Sequence, residues 1–439
     1  MTDDIESRGA DTSPVHRSRY GFAELLANGR LESHLAEVLR KAGMRSCSVA
    51  ASNAERRSCV QANGSGEIQA DVFGARLKVG CLSKLFTAAL ARQLIVTRSL
   101  SLDTPLAELL ASATGFSFAS MGPPVLIQHL LEHTHGLDGS AISEVPRDQH
   151  GGIDADRLCA QLLSAGSLAP PGSHYNYGSA GAWLMAGVLE RLSGSFYVDL
   201  LRNVLGLGSG PVSSGPSMLD PREICPSRGQ ALRVCIGDLL SFAESQAPWM
   251  LVGRSRFVGM PVKRLPGWSP LEKGICLAWK YYGMGWFGHD SLLEGESVLL
   301  RVNVREPLVV VIVSDCQTAE SICSAAFNGL LPAVRFRPRR SVHSAVVDNA
   351  TVVGTYRNAA TSIEVGADEA AALRLRVCER TAGKRSGEVI HESVLHHSAG
   401  SLYFPAQRST LLPFVQFLPR NDFPPKYLWN GRSIWKRCD

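Results

Sequence analysis

The hydrophobic positions of the first hundred residues switch between helical and extended spacing. Between Phe22 and Ala42 apolar residues recur every three or four positions, which predicts an opening helix. The short runs 46–52 and 57–63 partly alternate apolar and polar residues around a polar turn, and they predict an antiparallel hairpin. Residues 81–96 carry an apolar stripe at helical spacing directly after Gly80, and they predict the strongest helix of the chain.

The segment from about 100 to 275 is rich in Gly, Pro and Ser and contains short helical patterns but few strand signals. The helical patterns fall at 125–133, 154–165 and 180–193. Strand character returns at 297–304 and 307–314, and a further helix is predicted over 317–331. Strands at both ends with helices between them predict an α/β sandwich with an inserted helical lobe.

A change of pattern near residue 335 predicts a domain boundary. Residues 335–345 combine Pro with several basic side chains, which is typical of a linker. Short strand-like runs then recur with turn residues between them, and they predict a small all-β domain over 346–439, either a sandwich or a barrel. These runs are 351–357, 361–366, 372–380, 388–394, 401–406 and 414–420. The preceding chain divides into a disordered leader over 1–20 and a larger domain over 21–334.

The composition is that of a folded protein, with 439 residues of which 45% are hydrophobic and 19% charged. The net charge is only +5, and no block of Lys and Arg is dense enough to predict a nucleic-acid-binding face. No run of about 18 apolar residues occurs, so we expect no membrane-spanning helix. The polar, acidic amino terminus lacks the apolar segment of a secretory signal, which favours a cytoplasmic protein.

The eleven cysteines are odd in number and are scattered without C-x-x-C spacing. This pattern argues against a disulfide framework or a zinc ribbon and favours a reducing compartment. His133 and His135 stand two residues apart and the other histidines are isolated, so no metal site is expected. A glycine-rich phosphate loop is also absent from the sequence, and no cofactor is expected.

The first candidate for chemistry lies where the strongest predicted helix begins. Cys81 and Lys84 are three residues apart, so a helix places both side chains on one face. A thiol in the first helical turn lies beside free backbone N–H groups and the positive end of the helix dipole, and both favour its thiolate. Covalent acyl catalysis uses such a nucleophile with an adjacent base. Read locally, however, a cysteine on a buried helix is more often an inert apolar side chain than a nucleophile.

The residues around Cys81 follow a wider pattern. Gly80, Ser83, Lys84, Thr87 and Ala88 are followed by Leu102, Asp103 and Pro105. This order resembles the nucleophile helix of the serine β-lactamase and penicillin-binding-protein superfamily, especially its class C β-lactamase, esterase and transesterase branch. Cys81 stands where that family has its serine. Ser83 does not fit the nucleophile position, because the residue three positions later is Phe86 and not a lysine.

Three further segments resemble the same family and occur in its order. Residues 125–139 resemble a segment with the family pattern His-Thr-Ser-Gly-Leu, and their histidines are interpreted as structural. Residues 170–194 place Tyr177-Gly178-Ser179 at the family's Tyr-x-Asn motif, and residues 281–295 place His289-Asp290-Ser291 at its third motif.

The resemblance covers residues 22–332. It implies a β-lactamase/transpeptidase-like α/β sandwich with a helical lobe. The small all-β domain that follows resembles the lipocalin-like or barrel appendages of some relatives.

The family's mechanism implies a role for each matched residue. Cys81 is the expected nucleophile, and Lys84 and Tyr177 are the expected acid/base pair. The expected substrate-binding residues are Ser179, Trp286, His289 and Ser291. The oxyanion hole would use the N–H of Cys81 and a second N–H from the strand near Ser291.

Two departures from the family pattern argue against ordinary β-lactam hydrolysis. Ser179 replaces an Asn that binds the substrate carbonyl, and Ser291 replaces a Gly that lets substrate approach the strand. In a Cys81–Lys84 pair the proton should reside largely on the lysine, because a thiol is the stronger acid. Thiolates exchange readily with thioesters, and the resulting acyl-thioester favours amines or thiols over water as acceptors. We therefore expect an acyltransferase.

The expected reaction moves an acyl group from a thioester or ester donor to an amine or hydroxyl of a small molecule. Related transesterases and amide synthases imply a place in secondary metabolism. Coenzyme A or an acyl carrier protein is a candidate donor partner, which the basic residues of 335–340 could attract. Neither a nucleic acid nor a membrane is an expected partner. Two alternatives stay open: a cytoplasmic esterase, amidase or peptidase that uses the same Cys81-Lys84-Tyr177 site, and a non-catalytic binding protein.

Overall fold

The computed structural model describes residues 46–110, 123–207, 232–251, 274–315 and 349–438 with short gaps, and five positions between 29 and 37. Several sequence predictions lie outside the described residues. These are the leader over 1–20, nearly all of the opening helix over 22–42, the helix over 317–331 and the linker over 335–345.

An antiparallel sheet of eight strands forms the first layer of the molecule. Its strands are β1 Ser46–Asn53, β2 Arg57–Asn63, β3 Ile68–Ala70, β6 Gly274–Cys276, β7 Trp279–Gly283, β8 Trp286–Leu293, β9 Glu296–Asn303 and β10 Leu308–Ser314. They are arranged in the order β3-β2-β1-β10-β9-β8-β7-β6. The pairing of β1 with β10 joins the amino-terminal hairpin to the later strands, as the sequence predicts.

Helices connect the two halves of this sheet. They are α1 Ser83–Arg98, α2 Leu106–Leu109, α3 Ile127–Leu131, α4 Ala155–Ser164, α5 Ala180–Ser193, α6 Tyr197–Leu205 and α7 Ile236–Leu251. The predicted helical lobe is thus confirmed, and a two-stranded ladder within it, β4 Arg76–Lys78 with β5 Arg233–Cys235, was not predicted. No described helix combines the length and apolar character needed to cross a bilayer.

The first half of α1 is buried on every side, from Ser83 to Ala91. One main core encloses it and includes Phe86, and the edge of the Phe86 ring meets Phe242 at 4.7 Å between centroids. Thr87, a polar residue in this half of the helix, forms a hydrogen bond inside the protein, because its Oγ1 lies 2.9 Å from the hydroxyl of Tyr197. A helix enclosed in this way holds its first turn, and the residues that precede it, in a fixed position.

The carboxyl-terminal region is a closed barrel of eight antiparallel strands, which confirms the all-β prediction and selects the barrel. A short helix, α8 Asn349–Val352, precedes it. The strands are β11 Gly354–Arg357, β12 Thr361–Ala367, β13 Leu373–Glu379, β14 Val389–Ala399, β15 Leu402–Pro405, β16 Val415–Leu418, β17 Tyr427–Trp429 and β18 Ile434–Arg437. Pairing of β11 with β18 closes the barrel around its own apolar core.

The barrel packs against the part of the helical lobe that precedes α5. Leu168, Tyr175 and Ile275 share one apolar cluster with Leu418, Trp429 and Ile434 of the barrel, and Tyr177 packs on this cluster. Backbone contacts add to it, because the Asp138 carboxylate accepts the N–H of Ala359 at 2.7 Å. The barrel therefore adjoins the segment that carries the second sequence motif.

Candidate active site

Cys81 lies in a single 3₁₀ turn, Gly80–Leu82, that leads directly into α1. The turn presses against β8, and the N–H of Cys81 donates a hydrogen bond to Ser291 Oγ at 3.2 Å. Gly80 has a φ of +46°, and a Cβ at this position would collide with Ser291 Oγ. Glycine is required here because any side chain would separate the turn from the strand.

The thiol of Cys81 differs in its surroundings from the other described cysteines that are buried. Burial raises the pKa of the Cys59, Cys159 and Cys276 thiols to about 12, which makes these three thiols unreactive. Cys81 is half-buried, and every described cysteine is a free thiol. Accessibility and position together make Cys81 the candidate nucleophile of this group.

Lys84 lies one turn further along and is buried, with 2% of its surface exposed. Its Nζ lies 4.7 Å from the centroid of the Tyr177 ring. An ammonium over an aromatic face is attracted by the negative charge density of the ring, which helps to keep the charge of Lys84 in a buried position. The contact brings the first and second sequence motifs together.

Tyr177 also contacts the third motif, because its hydroxyl lies 3.4 Å from Nε2 of His289. Nδ1 of His289 lies 2.8 Å from the carbonyl oxygen of Asp290. A carbonyl oxygen only accepts, so Nδ1 carries the proton and Nε2 of the neutral ring accepts from the Tyr177 hydroxyl. Burial, followed by the charges of Lys280 and Lys84, lowers the pKa of His289 well below its ordinary value. His289 is therefore neutral at pH 7.

The remaining predicted substrate-binding residues lie at different distances from this centre. Ser291 contacts the backbone of Cys81, and Ser179 is the residue that precedes α5, two positions after Tyr177. Trp286 begins β8 and pairs with Asn303. It lies five residues before Ser291, which is roughly 16 Å along a strand. The structure thus gathers Cys81, Lys84, Tyr177, His289 and Ser291, and their roles stay predictions.

Two residues that sequence reasoning did not assign to the site also contact Tyr177. The ring of His133 lies 4.7 Å from that of Tyr177, and Lys280 Nζ lies 5.6 Å from the Tyr177 ring centroid. His133 is buried, and neither ring nitrogen has a hydrogen-bond partner among the described residues. Burial, followed by the charge of Lys84, lowers its pKa well below the ordinary value. Residue spacing gave no signal for these contacts, because they join segments far apart in the chain.

Strand β8 continues past the residues that pair with β7. The pairing of β7 with β8 reaches only to Gly288, whereas β8 continues to Leu293 beside the turn that holds Cys81. The strand beyond Gly288 carries both His289 and Ser291. In the described part of the chain, no three His, Cys, Asp or Glu side chains converge as metal ligands.

The protein family described as Beta-lactamase matches residues 73–328, which is more than half of the chain. The protein therefore belongs to the Beta-lactamase family. Among curated proteins, penicillin-binding protein 4 of Amycolatopsis lactamdurans is 26% identical over 297 residues, which cover 57% of this chain and 75% of the relative.

Solved structures show the same fold. SurE with D-Leu has a TM-score of 0.70 at 18% identity, and the match covers 93% of this chain and 99% of SurE. The octameric penicillin-binding protein homologue from Pyrococcus abyssi has a TM-score of 0.52 at 16% identity, and the match covers 93% of this chain and 99% of the homologue. A class C β-lactamase in complex with cefoxitin has a TM-score of 0.50 at 15% identity, and the match covers 69% of this chain and 99% of the β-lactamase. The first two similarities extend over the barrel as well.

Proposed function

We propose that the protein catalyses acyl transfer through a covalent thioester on Cys81. The observation that carries this proposal is the placement of a half-buried thiol in the turn before α1, with Lys84 buried against the ring of Tyr177. A candidate nucleophile, a candidate base and a candidate proton donor therefore follow one another in space, which is the arrangement that covalent acyl catalysis uses. The alternative of a merely apolar Cys81 fits less well, because the side chain is not enclosed.

The proton of the Cys81–Lys84 pair resides on Lys84 from the start, and in the first half-reaction the Cys81 thiolate attacks the carbonyl carbon of the donor. The bond from that carbon to the leaving group then breaks, and the leaving group departs with a proton from Lys84, relayed where needed by the Tyr177 hydroxyl. The N–H of Cys81 donates to Ser291 Oγ, and in this proposal the substrate oxygen takes the place of that hydroxyl and accepts the N–H as the oxyanion develops. The product is an acyl-thioester and a neutral leaving group.

In the second half-reaction an amine or hydroxyl attacks the thioester carbon and the carbon–sulfur bond breaks. The proton of the acceptor passes through Tyr177 to Lys84, and the thiolate of Cys81 is regenerated. Neutral His289 accepts a hydrogen bond from Tyr177 and so orients the phenol without competing for the proton. Atoms and charges balance over the two steps.

Transfer is preferred over hydrolysis in this proposal because the intermediate is a thioester, which reacts well with amines. The substitutions Ser179 and Ser291 at family motif positions also disfavour a β-lactamase activity. A reducing compartment such as the cytoplasm would keep the Cys81 thiol available for such chemistry.

The experiment that tests this function is product analysis with butanoyl-N-acetylcysteamine as donor and a primary amine as acceptor. Transfer predicts that the amide forms and that release of free butanoate falls as the amine concentration rises. An unchanged rate of butanoate release would instead make the protein a hydrolase with the same site. The Cys81→Ala variant is the matched control and is expected to form neither product.

A further inference from the structure

A cavity lies at the junction of the barrel and the helical lobe, and none of the candidate active-site residues lines it. Its volume is about 530 Å³, which is within the range of small-molecule sites. The charged residues that line it are Asp138, Arg357, Arg380, Lys436 and Arg437. Four basic side chains and one acidic side chain therefore surround a space large enough for a ligand.

The barrel places two of these positive charges directly opposite each other. Arg357 on β11 pairs with Lys436 on β18, where the barrel closes. Like charges at directly opposed positions of an antiparallel pair are destabilising. The juxtaposition is unfavourable for folding alone, and a bound anion would offset it.

The single acidic side chain offsets only part of this positive charge. Asp138 already accepts the backbone N–H of Ala359 at 2.7 Å and that of Ser140 at 3.1 Å. The ion pairs of the described residues involve other arginines, and none includes Arg357, Arg380 or Lys436. The cavity is thus strongly positive within the described part of the molecule.

One apolar cluster links the cavity to the segment that carries Tyr177. Leu168 lines the cavity and belongs to the apolar cluster that contains Tyr175 and on which Tyr177 packs. A ligand anchored by its charged end in the cavity would need a flexible arm that passes this cluster to reach Cys81. The arrangement fits a donor whose anionic part and reactive thioester are well separated.

We propose that this cavity binds the phosphate groups of a coenzyme A thioester, which would be the acyl donor. The proposal rests on the proposed function. Several phosphates match several cationic groups, and the guanidinium forks of Arg357 and Arg380 suit phosphate oxygens better than a single ammonium does. Arg437 is fixed by the carbonyls of Thr351 and Val353 and supports the wall of the cavity.

Direct titration of coenzyme A tests the binding site without any chemistry. The wild-type protein is expected to bind coenzyme A. Pantetheine lacks the phosphates, and its affinity for the protein should be at least tenfold lower than that of coenzyme A. Arg357→Ala and Lys436→Ala should each weaken coenzyme A binding about tenfold, as expected for lost charged hydrogen bonds. Arg376→Ala is the control, because Arg376 pairs with Glu392 on the barrel outside the cavity. No binding by the wild type, or equal binding by all variants, would overturn the proposal.

Kinetics then separates this proposal from the proposed function. With butanoyl-coenzyme A, the cavity variants should raise KM about tenfold, whereas KM for butanoyl-N-acetylcysteamine should stay unchanged. Equal losses with both donors would contradict a phosphate site. If neither donor acylates the wild type while coenzyme A still binds, the proposed function fails and the binding site stands.

Discussion

Tyr177 is the residue that most of the other candidate site residues contact. Lys84 and Lys280 contact the ring, and the rings of His133 and His289 pack beside it. Both ammonium groups contribute to the low pKa of the two histidines, which stay neutral. In the proposed function the phenol hydroxyl relays protons between Lys84 and a leaving group or acceptor.

Replacing Tyr177 by Phe should separate proton relay from thiol activation. The ring still covers Lys84, so alkylation of Cys81 by iodoacetamide should proceed as in the wild type. Acyl transfer should fall about 100-fold, because a general acid is lost. Peptide mapping and transfer kinetics measure the two rates. Equal losses of alkylation and transfer would show that the hydroxyl is needed for the thiol itself, contrary to this account.

His135 provides a prediction about stability and pH. Burial lowers its pKa to about 4 in the folded protein, whereas the ordinary value is 6.5. As the pH falls, His135 therefore becomes protonated in the unfolded chain at a higher pH than in the folded protein. Between pH 6.5 and about pH 4, this difference should lower the free energy of unfolding by about 1.4 kcal/mol per pH unit. Urea unfolding at several pH values measures this slope.

In the His135→Asn variant, the number of protons taken up on unfolding between these two pH values should fall by about one. Asn can still accept the N–H of Leu137, which His135 Nδ1 accepts at 3.1 Å. The same change at exposed His150 is the matched control. A variant with the wild-type slope would refute the assignment of this proton to His135.

At the scale of elements, the site depends on the contact between β8 and the turn before α1. Ser291 Oγ accepts the Cys81 N–H, the same donor that the oxyanion hole is expected to use. The substrate oxygen must therefore replace this hydroxyl before the N–H can stabilise the oxyanion. The family pattern has Gly where Ser291 stands, which leaves the donor unoccupied.

Ser291→Gly should consequently accelerate acylation of Cys81. Removing a competing hydrogen bond of about 1 kcal/mol predicts a gain of about fivefold in the acylation rate. Stopped-flow acylation with a thioester measures it, and Ser297→Gly on β9 is a control for the loss of a buried hydroxyl from the sheet. Slower acylation would mean that Ser291 Oγ itself serves the reaction as a donor.

The sequence predicted those elements that have a clear periodicity. The 81–96 helix is found at Ser83–Arg98, and the 297–304 strand at Glu296–Asn303. Strand β7, which carries Lys280, has no regular alternation, and the strands β17 and β18 are only three and four residues long. The predicted residues Cys81, Lys84, Tyr177, His289 and Ser291 do come together. His133 and Lys280 were missed because tertiary contacts across many residues leave no trace in local spacing.

At the scale of the whole molecule, the barrel holds the segment that carries Tyr177. Oδ1 of Asn176 accepts the N–H of Ile434 at 3.2 Å, and the backbone N–H of Asn176 donates to the carbonyl of His133 at 2.8 Å. The rings of His174 and Tyr427 pack at 4.7 Å. Barrel strands β17 and β18 thus support the residues on the amino-terminal side of Tyr177.

Asn176→Ala should lower kcat of acyl transfer about fivefold, because one hydrogen bond that positions Tyr177 is lost. Asn176→Asp keeps the acceptor and should retain most of the activity. Alkylation of Cys81 by iodoacetamide should be the same in both variants. Parallel losses of alkylation and of thermal stability would point to a general structural defect and contradict a positioning role.

The central claim is that Cys81 carries the acyl group. Intact-mass spectrometry after incubation with butanoyl-N-acetylcysteamine tests it directly, and peptide mapping locates the adduct. We expect one butanoyl group on Cys81 in the wild type, none on the exposed Cys438, and no adduct in Cys81→Ala. An unmodified wild-type protein, or an adduct that persists in Cys81→Ala, would contradict it.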